Sequence, residues 1–157
     1  MTAITYKKQA FQYRLVKEPA ANVMPIASQK ITDSRTLCDY LRQIYKQDGD
    51  NIGIYESFYA LALNNANNVI GWQLISRGGI SGTVTDISMI LKFSIEMLAK
   101  AVVICHNHPS GSLKPSNSDN TITKKVKSSL EIMDLKLLDH LILTEDNYFS
   151  FTDDGLI

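Results

Sequence analysis

The stretch from residue 86 to residue 134 constrains the fold most. It reads DISMILKFSIEMLAK, then the short apolar run AVVICHNH, then the loop NHPSGSLKPSN with two prolines, then SDNTITKKVKSSLEIMD. Two helix-period segments flank one short run of the kind that forms a buried strand. In the first helix Thr85 or Asp86 is the expected cap, with Ile87, Ile90, Leu91, Ser94, Ile95 and Leu98 along one face. A buried strand between helices requires a sheet covered on both sides.

The remaining text supplies that sheet. ITDSRTLCDYLRQIY offers Asp33 or Ser34 as an N-cap and spaces Leu37, Tyr40, Leu41 and Tyr45 helically, with an end expected before Gly49. ESFYALALNNANNVIGWQLIS places two β-forming runs around an Asn-rich turn, a hairpin whose first strand is expected from Glu56. KLLDHLILT and YFSF close the chain as strands around EDN, and residues 1–30 read as a strand near Phe11, Tyr13 and Leu15 followed by a loop. The order β, α, β, β, α, β, α, β, β predicts an α/β fold, an α-β-α sandwich around a mixed sheet. At 157 residues one domain is expected, residues 31–157, preceded by the extension 1–30.

Sixteen basic and sixteen acidic residues cancel, so the overall positive field that drives non-specific nucleic-acid binding is missing. The longest apolar stretches fall far short of the roughly 20 residues a membrane span needs. The start, MTAITYKKQAFQYRL, lacks the apolar region and cleavage site of a secretory signal, and the two cysteines, Cys38 and Cys105, lie far apart. Both features predict a cytoplasmic protein with reduced thiols.

The chemistry sits at His106-Asn107-His108-Pro109 and, beyond a short loop, Ser116-Asn117-Ser118-Asp119. Residues two apart in a strand share a face, about 6.6 Å apart along the chain, so His106 and His108 can converge on one ion. Pro109 ends the strand. Asp119 falls in the first turn of the next helix, where the helix dipole favours its ionised form. Two imidazoles and a carboxylate with a position left for water is the pattern of catalytic zinc. Cys105 points to the other strand face and is not read as a ligand. A zinc of this kind needs a general base, for which Glu56 at the head of the earlier strand is the candidate.

Ser-x-x-Asp before an apolar run is also a capping box, and an Asp119 that binds a metal is not expected to reach back well to the cap. His140, on the apolar strand LLDHLIL, is read as a hydrogen-bonded core residue rather than a fourth ligand. Lys124, Lys125 and Lys127 are read as solvated helix surface, and Gly78, Gly79 and Gly82 as a turn near the site rather than a phosphate loop.

Glu56, His106-x-His108-Pro109 and Ser116-x-x-Asp119 together resemble the JAMM (MPN-plus, JAB) metalloproteases, and HNHPSGSLKPSNSD is similar to the RadC branch. The resemblance extends over residues 31 to 157. It implies a cytidine-deaminase-like JAB/MPN fold and one zinc per chain held by His106, His108, Asp119 and a water. It further implies Glu56 as general base and Ser116 as the hydroxyl that helps hold the water or the oxyanion. The implied activity is hydrolysis of peptide or isopeptide bonds, with a peptide or isopeptide-linked protein as substrate. Two alternatives belong beside it: a DNA-repair-associated nucleic-acid enzyme or accessory protein, and a non-catalytic binding module stabilised by its metal. Compared with full-length RadC proteins, the sequence lacks the helix-hairpin-helix-like N-terminal region and reads as a stand-alone catalytic domain. TDISMILKF also replaces the usual Pro/Arg-containing entry into the second helix.

Overall fold

The computed structural model describes residues 28–78 and 85–157. The strand expected near Phe11 and the turn role given to Gly79 and Gly82 lie outside the described residues. Among the described residues three helices, α1 (Ser34–Gln47), α2 (Ile87–Glu96) and α3 (Asn117–Glu131), combine with five strands. The strands are β1 (Ser57–Leu63), β2 (Val69–Arg77), β3 (Ala101–Asn107), β4 (Lys136–Leu143) and β5 (Tyr148–Ser150), in the sheet order β2-β1-β3-β4-β5. β1 runs antiparallel to β2 and β3, β3 runs parallel to β4, and β5 returns antiparallel along β4. The sheet is mixed and the class α/β. None of the described helices is long and apolar enough to cross a membrane.

Alternation along the inner strands divides the core in two. Tyr59, Leu61 and Leu63 of β1, with Val103 and Cys105 of β3, pack with Leu37, Cys38, Leu41 and Ile44 of α1. Phe58, Ala60 and Ala62, with Val102 and Ile104, pack with Ile90 and Phe93 of α2 and with Val126 and Leu130 of α3. Every residue of β1 and β3 is buried, and the runs 58–63 and 101–105 are accordingly apolar rather than alternating. Residue 106 continues the even series of β3, so its side chain faces α3.

The helix starts follow local chemistry. Asp33 accepts from Thr36 N at 2.7 Å and caps α1, and Asp86 accepts from Ser88 N at 2.8 Å and caps α2. The predicted face of α2 needs correction. The helix ends at Glu96, Leu98 takes φ 53° and is exposed, and Ile95 is exposed as well. The buried stripe is Ile90, Phe93 and Ser94, with the expected Ile87 and Leu91 and also Met97 packed beside it; only Ile95 and Leu98 leave the face, the helix ending two residues before Leu98. The strand expected from Glu56 begins one residue later, at Ser57.

Candidate metal centre

β3 and the first turn of α3 build the centre. The parallel β3-α3-β4 crossover brings the carboxyl end of β3 against the start of α3, the position where open α/β sheets place their sites. The main chain leaves β3 with His108 N donating to Leu143 O at 2.8 Å, so the end of the strand remains pinned to β4. Gly111 then turns the loop at φ 78°, a left-handed conformation in which a side chain is strained.

His106, His108 and Asp119 converge: one ligating atom from each lies within 4.8 Å of the others. His106 Nε2 is 3.2 Å from Asp119 Oδ1, His108 Nε2 is 3.6 Å from Asp119 Oδ2, and the two Nε2 atoms are 3.0 Å apart. His108 Nδ1 lies 2.7 Å from the Ser112 carbonyl, which only accepts, so that nitrogen carries the proton and Nε2 is the atom turned into the cluster. Two imidazole nitrogens in contact beside a carboxylate call for a positive charge between them, either a proton or a metal ion. A nitrogen, nitrogen and oxygen donor set suits zinc, so the residues fit the metal that the motif implies.

The electrostatics agree. The Asp119 carboxylate beside it raises the His108 pKa against the cost of burial, with the Ser112 carbonyl and the charge of Glu56 adding to the rise. Burial alone would push the Asp119 carboxyl up, but the imidazoles of His106 and His108 outweigh it and hold it well below the usual carboxylate range. Asp119 is therefore an anion although only 8% exposed.

Asp119 also completes a capping box. Ser116 N donates to its Oδ2 at 2.6 Å, and Asp119 N donates to Ser116 Oγ at 3.1 Å. The two roles set against each other by the sequence coexist: Oδ2 reaches back to the cap while also facing His108, and Oδ1 turns to His106. Ser116 Oγ uses a lone pair in the cap, which leaves its proton to donate outward.

Glu56 lies one residue before β1. The last β1-β3 pair at this end is Phe58 with His106; Glu56 lies two residues further along the chain, and its charge is near enough to act on His108. Phe58 itself stacks on His106, with ring centroids 5.8 Å apart and planes 7° apart. Cys105 belongs to the core on the α1 side, away from the centre.

Two neighbours of the site carry no motif signal. Asn107, fully buried between the two histidines in sequence, faces the α1 side of the sheet. Its Nδ2 donates to Ile52 O and Tyr55 O, each at 2.7 Å, and its Oδ1 accepts from Ser57 N at 2.8 Å. The segment bearing Glu56 is thereby tied to the end of β3. His140, fully buried and held well below the usual imidazole pKa by that burial, bonds His106 Nδ1 at 2.9 Å through Nε2 and Thr123 Oγ1 at 2.6 Å through Nδ1. A histidine in an apolar strand was the available signal, but its partners were not readable.

Comparison with known proteins settles the lineage. Residues 31–156 match the family profile described as the RadC-like JAB domain. The chain belongs to the RadC-like JAB family. Among curated RadC-like relatives, a UPF0758 protein of Flavobacterium johnsoniae is 50% identical over 102 residues, 65% of this chain and 44% of that protein. A UPF0758 protein of Porphyromonas gingivalis is 35% identical over 134 residues, 82% of this chain and 55% of that protein. A third, from Aquifex aeolicus, is 36% identical over 65% of this chain and 44% of its own length. The RadC-like chain thus spans about half the length of the curated relatives it matches.

Proposed function

We propose that this RadC-like JAB chain is a zinc-dependent hydrolase of peptide or isopeptide bonds. The observation that carries the reading is the convergence of His106, His108 and Asp119 within 4.8 Å, with Glu56 close enough for its charge to act on His108. Zinc, when bound, supplies Lewis acidity to a carbonyl oxygen and to a water. Everything else falls to the protein. Glu56 takes the proton of the attacking water and delivers it to the leaving nitrogen. The Ser116 hydroxyl, its oxygen fixed by Asp119 N, donates to the oxygen on which charge develops. His106 is only 1% exposed and closes the inner wall, whereas the His108 side chain is 15% exposed and marks the side from which substrate enters.

Elemental mass spectrometry on untagged protein, purified without chelators, tests the reading. About one zinc per chain is expected in the wild type and none in a folded His108→Ala variant. Absence of metal from zinc-supplemented, folded wild type would overturn the hydrolase mechanism. A peptide and isopeptide screen then assigns the base: Glu56→Gln keeps its zinc and loses turnover, and full activity in that variant would remove Glu56 from its role. Tight zinc without hydrolysis of any library would favour a binding module instead.

A further inference from the structure

The metal-site reading leaves a buried histidine unused. His140 is fully enclosed, stacked on Phe151 at 4.6 Å with Phe58 on another side, an environment in which an imidazolium is costly. Its two ring nitrogens are both engaged, and the proton positions follow from elementary bookkeeping. The Asp119 carbonyl only accepts, so at 2.5 Å Thr123 Oγ1 commits its single proton to it. Thr123 Oγ1 then has only lone pairs to offer His140 Nδ1 at 2.6 Å, so Nδ1 is the protonated nitrogen of the neutral ring. His140 Nε2 is consequently an acceptor, and the 2.9 Å bond to His106 is donated by His106 Nδ1. Nε2 of His106, 3.2 Å from Asp119 Oδ1, thereby carries the lone pair left to take the positive charge that the cluster calls for.

We infer that Thr123 and His140 form a tautomer-setting relay that starts at the main chain of Asp119 and ends by presenting the Nε2 lone pair of His106 to the metal. This inference rests on the zinc reading of the centre and deepens it. His140 and Thr123 are positioning residues: neither ligates, but together they fix which nitrogen of a ligand is free. One helical turn of α3, Asp119 to Thr123, serves twice. Its first residue offers a carboxylate oxygen to the metal and, through its carbonyl, decides the tautomer of the opposite ligand. An imidazole held as Nδ1–H by a buried acceptor is a better Nε2 ligand than one free to exchange tautomers.

The test combines zinc affinity, measured by competition with a chromophoric chelator, and the tautomer of His106, read by long-range proton-nitrogen correlation on metal-free, ¹⁵N-labelled protein above neutral pH. Thr123→Val keeps the shape and removes the relay oxygen, and His140→Leu removes the acceptor. Each is expected to weaken zinc about 10- to 100-fold. Thr123→Ser is expected to bind like wild type, and His140→Gln, whose Oε1 can stand where Nε2 stood, to recover part of the loss. Metal-free wild type should show His106 protonated on Nδ1, and Thr123→Val a mixture of tautomers. Unchanged affinity in folded Thr123→Val and His140→Leu, with zinc still bound by wild type, would overturn the relay and leave the centre standing. So would a His106 proton on Nε2 in the wild type. Failure of the wild type itself to take zinc would overturn both. If His140→Leu does not fold, the Val and Ser pair at position 123 and the wild-type tautomer decide the matter.

Discussion

Asn107 shows how much one amide can do. Its four hydrogen-bonding positions meet Ile52 O, Tyr55 O, Ser57 N and, at 3.2 Å, the Tyr45 hydroxyl, and the residue is fully buried. Asn107→Asp preserves the shape but sets a carboxylate against two carbonyl oxygens that lose their donor. Each buried group left unsatisfied costs about 1–3 kcal/mol, so the variant is expected to lose about 3 kcal/mol in urea unfolding. A loss within 0.5 kcal/mol would show that the 52–57 segment is held by something else. The two histidines were legible because their spacing in a strand is itself a geometric statement, and Asp119 because a helix start follows a proline loop. Asn107 was not, since its partners lie some fifty residues back and its place between two candidate ligands disguised it as a spacer. The setting of His140 was hidden for the same reason.

Among the elements, α3 carries most of the site's precision, since its capping box holds Asp119, the proposed carboxylate ligand, at the third helical position. Ser116→Ala removes the cap and should cost about 1 kcal/mol of stability, together with some zinc affinity because Asp119 loses its anchor. Ser116→Asn separates capping from chemistry: asparagine caps well but cannot replace the hydroxyl. Melting temperature and zinc content near those of wild type, with reduced turnover, are the expected outcome; undiminished turnover would confine Ser116 to capping. The three helix starts were readable because Asp33, Asp86 and Ser116 bond backbone within three residues of themselves. The end of α2 was not, because apolar lettering continues through Leu98 after the chain has turned to enter β3.

For the molecule as a whole, core packs on both faces of a five-stranded sheet without help from the centre. The protein should therefore remain folded without metal and gain from it by mass action, about 2.7 kcal/mol at free zinc a hundredfold above the dissociation constant. A calorimetric melt should rise by several degrees with zinc and return, still cooperative, with chelator; a chelated protein without a cooperative transition would make the metal part of the fold. The α/β class was legible from the succession of periodicities, whereas the order β2-β1-β3-β4-β5 was not, because strand neighbours are chosen by contacts between distant segments.

All three converging side chains come from one short crossover, residues 106 to 119, while Glu56 arrives from a different hairpin. The cation would therefore close only a small loop of chain, which adds little to the constraint on an unfolded polypeptide. Loading and unloading would be local breathing of the turn around Gly111, completed while the sheet beneath remains zipped. Such a centre would be emptied and refilled without unfolding the protein around it.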